Sequence, residues 1–437
     1  MENKDGAAAC EAAKQMNSSP PWRLLRLLSS LRAFESLRYR DYRLLWYGQT
    51  FSSMGQWMDE VTRGWLMYQL TNSAVQLGLV LGIQAIPILL LSPLAGTTAD
   101  RYSRKAQVVW AQLLSGMLYV VTALLVYSGW IRPWHLYLTA FLMAVVQTFI
   151  QPARTAMISD TVPLNCLTNA IALNSLVWNL ARSTGPALAG ILIGAFGTGN
   201  AYFVQAVFFS LATYMTVKLN PALSFSANPS YGRSGQRESF GQSIIEGWKF
   251  SWQNEAVRIG LLTVLVASFF MIPFRALLPV FARDILKIGA TGQGLLLTAM
   301  GIGALFSSVL IASAGDRLPR GKLMLGSVIL YGFILVIFAA SPWFQLSLVM
   351  MAMTGVCNVL SHSLIQTVIQ SYSTPEFRGR TTAIFGMGQV AVTIGSILIG
   401  ALSSLWGARY AVASMATVGA LTMIVAYITI PRARLIR

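Results

Sequence analysis

Residues 76–128 read QLGLVLGIQAIPILLLSPLAGTTADRYSRKAQVVWAQLLSGMLYVVTALLVYS. Two long apolar runs, 76–99 and 106–128, are separated by a short loop that holds Asp100, Arg101, Arg104 and Lys105. Each run matches the roughly 20 residues an α-helix needs to cross the hydrocarbon core of a bilayer. The loop between them is too short for anything but a tight turn, so the two runs form an antiparallel pair.

The same reading extends in both directions. Twelve apolar segments of near-spanning length run 44–70, 76–99, 106–128, 134–153, 168–196, 200–217, 259–282, 291–314, 323–341, 343–371, 382–405 and 410–430. Gly197-Thr-Gly199 supplies the turn between the fifth and sixth, and Pro342 divides the ninth from the tenth. Residues 218–258 form one long hydrophilic stretch, rich in Ser, Gly and Pro at first and amphipathic from Ser239 to Trp252. The expected organisation is therefore a tail at 1–43, six helices over 44–217, a linker at 218–258, six helices over 259–430 and a short tail at 431–437.

Composition agrees. Of the 437 residues, 55% are hydrophobic and 11% are charged, with a mean hydropathy of +0.59. Soluble domains carry about 25% charged residues, so this chain has too little charge to coat a globule. Disorder is excluded by the high apolar content. An all-α polytopic membrane protein remains.

The net charge of +17, from 32 Lys and Arg against 15 Asp and Glu, could suggest nucleic acid. No basic reading module is present, and the placement of the charges explains them as topology. With the N-terminus inside, 25 of the 32 basic residues fall in cytosolic segments. Arg132, Arg283, Lys287 and Arg409 fall outside, while Arg63, Arg182 and Arg275 lie within spans. This asymmetry predicts both termini and the linker in the cytosol. Trp22 to Arg43 is expected to lie along the inner leaflet as a basic amphipathic segment.

Cys10, Cys166 and Cys357 are scattered without disulfide or metal-ligand spacing, and no cofactor is implied. The first apolar stretch, Trp22 to Leu31, is interrupted by Arg23 and Arg26 and does not read as a cleavable signal. No nucleophile–base pair and no phosphate-binding glycine loop is evident, which argues against an enzyme and against ATP hydrolysis by this chain.

The loop after the second segment has a copy. Asp100, Arg101 and Arg104 follow Gly96, and Asp316, Arg317 and Arg320 follow the eighth segment with the same offsets. Gly321 interrupts the second pattern. Pro163 and Pro375 also correspond, each before the fifth span of its half. A duplicated six-helix unit predicts two pseudo-symmetric bundles.

The Asp-Arg-x-x-Arg loop, its degenerate copy and the long central linker resemble the major facilitator superfamily across about residues 38–430. YRLLWYGQTFSSMGQWM, WLMYQLTNSAVQLGLVLG, QPARTAMISDTVP and NAIALNSLVWNLARSTGPALAGIL are similar to the branch of macrolide efflux proteins and the enterobactin exporter. The resemblance implies two six-helix bundles around a cavity that opens alternately to each side. It further implies a secondary transporter, a proton-driven exporter of amphipathic small molecules such as drugs, macrolides or siderophore-like compounds. Such a protein would be a monomer in the bacterial inner membrane. The alternatives are uptake, lipid translocation or a non-transporting membrane protein.

In that frame Gly96, Asp100, Arg101, Arg104 and Lys105, with Asp316, Arg317 and Arg320, would latch the halves at the cytosolic face when the cavity faces outward. Gly185-Pro186 and Gly190 in the fifth span are the element the superfamily associates with efflux. One departure is clear: between Trp134 and Gln151 the fourth span lacks the mid-helix arginine of many proton-coupled exporters.

Asp59 and Glu60 are the only acidic residues inside the twelve segments. Ionisable groups in a bilayer are costly unless paired or wetted, so these two, with Arg182 and His362, are the candidates for proton coupling. Arg63 lies at i+4 from Asp59 and i+3 from Glu60, so the cluster reads either as a structural ion pair or as a proton carrier. Arg182 is expected to act on the carboxylates from the facing helix. Trp57, Trp65 and Trp178 read as packing or membrane-belt residues, with ring stacking on a substrate as the alternative.

Overall fold

A computed structural model of the chain describes residues 32–220, 240–314, 319–374, 376–431 and 434. Most of the basic tail, Asp316, Arg317 and Pro375 lie outside the described residues, as do the side chains of Asp100 and Arg101. Among the described residues the fold is helical throughout.

The first helix, α1, spans Arg40–Thr71. Next, α2 is broken into Ala74–Gly82 and Ala85–Arg101, and is followed by α3 (Arg104–Tyr127) and α4 (Pro133–Thr161). Leu167–Val217 is one helical run bent at Gly197, where φ is +83°, so residues 167–196 are taken as α5 and 198–217 as α6. Glycine occupies this left-handed position without the Cβ clash that another residue would meet. After a linker helix, Phe240–Gln253, α7 covers Glu255–Ile285. Helices α8 (Gly289–Ala314), α9 (Arg320–Ala340) and α10 (Phe344–Tyr372) follow. The last two are α11, broken into Arg378–Gly386 and Gly388–Trp406, and α12 (Ala408–Thr429).

Among the described residues, ten runs are long and apolar enough to cross a membrane. One of them contains both α5 and α6. The remaining helix, α1, is less apolar because it carries the charged cluster, and its length and packing make it a spanning helix. Helix is the form an apolar segment must take in hydrocarbon, where every backbone N–H and C=O has to be satisfied within the segment.

Two helices are locally remodelled. In α7, Pro273 and Pro279 remove backbone donors, and the ladder passes from α into π at Ala267–Met271, 3₁₀ at Ile272–Leu277 and π again at Phe281–Ile285. In α4 the helix continues through Pro152 to Thr161. Arg154, expected in a cytosolic loop, therefore lies on α4, where it is buried and donates from Nη2 to Ser52 Oγ on α1 at 3.0 Å.

The first six helices meet the last six along two glycine-lined crossings. Between α5 and α8, a β-carbon on Gly190 would sit 2.6 Å from the Ala290 carbonyl oxygen, and one on Gly294 2.5 Å from that of Pro186. Between α2 and α11, Gly78 faces the Ser396 backbone and Gly400 that of Ala74 at similar distances. Only residues without side chains allow backbones this close, and dispersion contacts then replace lipid contacts. All four glycines lie toward the end of the bundle away from the chain termini. There, Arg283 on α7 also donates to Asn72 Oδ1 at 2.6 Å, and the Tyr68 hydroxyl donates to Asp284.

The end carrying the termini is built differently. Arg104 on α3 holds Asp160 on α4 at 2.8 Å, and Lys105 Nζ donates to the carbonyls of Val217 and Leu219 at the end of α6. Glu246 of the linker helix pairs with Arg380 of α11 at 2.6 Å, while Phe250 stacks on Phe377. Each of these contacts stays within one set of six helices. Among the described residues, the glycine-lined crossings and the Arg283–Asn72 and Tyr68–Asp284 contacts between the two sets of helices thus gather at the far end.

Candidate functional site

Two adjoining chambers, of about 450 and 770 Å³, lie between the two sets of helices. They share Trp57, Glu60, Gln84, Arg275 and Gln389 as lining. The larger extends toward the termini end, where Ser175, Ser308 and Gln366 line it.

Asp59 and Glu60 are neighbours on α1 and therefore point about 100° apart. Each has its own arginine. Arg63, one turn along the same helix, donates Nε and Nη2 to Asp59 Oδ2 at 2.9 and 2.7 Å. Its Nη1 donates to Thr139 Oγ1 and the Leu136 carbonyl of α4 at 2.9 and 3.2 Å. This pair is buried and ties α1 to α4 inside the first six helices. Glu60 instead faces α7, where Arg275 Nη2 donates to Oε1 and Oε2 at 2.5 and 2.8 Å. Arg275 belongs to the 3₁₀ stretch after Pro273, so the disrupted part of α7 presents the guanidinium. The Glu60–Arg275 pair joins the two halves across the chambers.

Arg182 reaches neither carboxylate. Its Nη2 donates to Asn358 Oδ1 on α10 at 3.2 Å, and its guanidinium lies 5.7 Å from the Trp57 ring. Trp57 and Trp178 meet edge to face at 5.6 Å, and both line the chambers. Trp65 is buried in the packing of α1. His362 lines the larger chamber and contacts Phe385 edge to face at 4.9 Å. Glu60, Arg182 and His362 thus share one chamber, with Asp59 in the adjoining one.

Buried polar atoms without a partner cluster on the same walls: Trp57 Nε1, Asp59 Oδ1, Gln147 Oε1, Arg182 Nε, Arg275 Nε and Gln293 Oε1. These atoms add to the polar character of the chamber walls. The amides Gln147, Gln293, Asn358 and Gln389 and the arginine Arg275 complete the site. They were visible as rare polar residues inside apolar segments, but nothing in their spacing showed that they converge.

In the Gly185-Pro186 element, a β-carbon on Gly185 would lie 2.8 Å from the Trp57 Cβ, so this glycine seats α5 against α1. Pro186 and Gly190 form the crossing with α8. Arg104 and Lys105 hold the contacts given above, and Arg320 begins α9. No group of His, Cys, Asp and Glu able to hold a metal occurs among the described residues.

Among the described residues, twelve long helices in two sets of six with polar chambers between them define a membrane transporter scaffold. The chain belongs to the major facilitator superfamily: a family described as transmembrane secretion effectors matches residues 31–436. It is 25% identical over 374 residues to the multidrug efflux pump Tap of Mycolicibacterium fortuitum, covering 83% of this chain and 89% of that one. It is 23% identical over 375 residues to macrolide efflux protein A of Streptococcus pyogenes, covering 83% and 90%. Among solved structures, a bacterial homologue of the human lysosomal transporter Spinster in an inward-facing, unoccupied conformation matches with a TM-score of 0.68. The match is 14% identical and covers 91% of this chain and 96% of that one. This last likeness concerns the fold.

Proposed function

We propose that the chain is a proton-driven exporter of amphipathic small molecules, working by alternating access in a bacterial inner membrane. The observation that carries this reading is the Glu60–Arg275 ion pair. It spans the two halves, lines the chambers and, among the described residues, pairs a mid-helix carboxylate of one half with an arginine of the other. A proton on Glu60 would cancel the charge that holds Arg275, so protonation and the relative position of the halves become linked. Asp59, held by Arg63 within one half, serves as a structural neighbour in this scheme. Arg182 and His362 face the substrate.

The efflux relatives and the Gly185-Pro186 element favour export over uptake. The basic-residue asymmetry favours termini in the cytosol, which makes the described state open to the cytosol. In the opposite state, Asp100 and its neighbours would close that face, while the crossings at Gly190 and Gly78 separate. The halves, 44–217 and 259–430, would rock about the chambers as two units acting as a monomer.

The test is transport in inverted membrane vesicles. Energised vesicles containing the protein should accumulate a labelled amphiphilic drug, and an uncoupler should abolish the accumulation. Accumulation that survives the uncoupler would remove the proton from the scheme, and absence of any transport across a chemically broad panel would remove export.

A further inference from the structure

Among the described residues, the two chambers are lined by three arginines, Arg63, Arg182 and Arg275, and by two carboxylates, Asp59 and Glu60. Each carboxylate is matched to one arginine, Asp59 to Arg63 and Glu60 to Arg275. Arg182 is left over. Its hydrogen-bond partner is the neutral amide oxygen of Asn358, and its Nε is buried without a partner. A guanidinium offers five N–H donors in a planar fork, and one of them is in use here. His362 and Asn358 share the larger chamber with it, and neither brings negative charge.

From this charge balance we propose that Arg182 is the recognition site for the anionic group, a carboxylate, of an amphipathic substrate. The inference rests on the export reading above and names the substrate class of that site. The fold itself shows the geometry a carboxylate would use. Arg63 holds Asp59 side-on through Nε and Nη2, and on Arg182 the Nε is the donor without a partner. A carboxylate there would satisfy a buried donor and neutralise a charge in the low-dielectric space between the halves, where charge-assisted hydrogen bonds are strongest.

A cationic amphiphile would meet Arg182 with both carboxylates already engaged. A neutral one would leave Nε unsatisfied. The apolar part of the substrate has its own place, because Trp57 lies beside the guanidinium and meets Trp178 edge to face. An aromatic or planar body carrying a carboxylate at one end fits both features. Export of such an anion also runs with an inside-negative membrane potential.

The test uses purified full-length protein in detergent and three probes with one skeleton: 2-naphthoate, 2-naphthamide and 2-naphthylmethylammonium, titrated by calorimetry. The wild type should bind naphthoate about tenfold or more tightly than naphthamide, and the ammonium most weakly, because the charged hydrogen bond is present only with the carboxylate. Arg182→Gln should bring naphthoate and naphthamide to equal affinity, and Arg182→Lys should keep part of the preference. Asn358→Asp, nearly isosteric, should also erase the preference by giving Arg182 a carboxylate of its own, which covers the case of an unfolded Arg182→Gln.

Equal affinities in the wild type, tighter binding of the ammonium, no saturable binding, or a preference that persists in Asn358→Asp would overturn the proposal. Displacement of naphthoate by inorganic phosphate at equal concentration would show a bare oxyanion site and overturn the amphiphile assignment. Binding needs no transport, so the two readings fail separately. Discrimination without transport of any member of the broad panel in vesicles would sink export, and export without discrimination would sink this site.

Discussion

Asp59 and Glu60 differ in role although they are adjacent in the chain. The Asp59–Arg63 pair is almost fully buried, with side-chain exposures of 16% and 4%, and its remaining bonds go to α4. Removing one partner of a buried ion pair leaves an uncompensated charge and costs about 3–5 kcal/mol. The Glu60–Arg275 pair is wetter, at 27% and 20%, and stands at the chamber wall. We therefore expect Asp59→Asn to lower the melting temperature and yield of the purified protein markedly, and Glu60→Gln to lower them little. Equal losses would contradict the division of roles. The sequence made both carboxylates visible as the only acids within the spans, and the i+4 spacing of Arg63 made one pair readable. It could not show that Glu60 meets Arg275, 215 residues away. Arg182 was legible as an interior charge, but its partner Asn358 and its separation from the carboxylates depend on how α5 and α10 cross.

At the scale of elements, the glycines divide into two kinds according to what they face. Gly190 packs on α8 across the interface between the halves, where a β-carbon would meet Ala290 O at 2.6 Å and the Gly294 Cα at 3.0 Å. Gly303 packs inside the last six helices, where the same atom would lie 1.8 Å from the Ala352 carbonyl oxygen. Overpacking costs about 1–3 kcal/mol and is relieved by whatever can move. Gly190→Ala should therefore shift the protein toward the state open at the far end, seen as faster labelling from that side, by an impermeant reagent, of a cysteine introduced at the buried chamber residue Gln293. Gly303→Ala should instead reduce thermal stability without changing that labelling. The reverse pattern would mean that the α5–α8 crossing does not open. The twelve segments were readable from hydropathy, and the turn at Gly197 from its glycines. The broken course of α7 was foreshadowed by Pro273 and Pro279. The end of α4 was missed because Pro152 and Arg154 resemble a loop, whereas tertiary packing against α1 keeps the helix going and shelters the arginine.

For the molecule as a whole, directional transport needs a fixed orientation and a cycle. Orientation comes first. Lys249 of the linker helix and Trp130 between α3 and α4 are exposed at opposite ends. In intact cells a cysteine at position 130 should react with an impermeant maleimide, and one at position 249 should react only with a permeant reagent. Exchange of those outcomes would invert the topology. The pseudo-symmetry of the halves and the pairing of spans were legible from the repeated Asp-Arg-x-x-Arg loop. Which end is closed was not, because it is set by contacts such as Gly190–Ala290 and Arg283–Asn72 that join distant parts of the chain. The central claim is that Glu60 links the proton gradient to movement of the halves, and the direct measurement compares exchange with gradient-driven transport for Glu60→Gln in proteoliposomes. The variant should still exchange labelled for unlabelled substrate across the membrane and no longer accumulate it in response to a pH gradient. Full gradient-driven accumulation by a well-folded Glu60→Gln protein would contradict it.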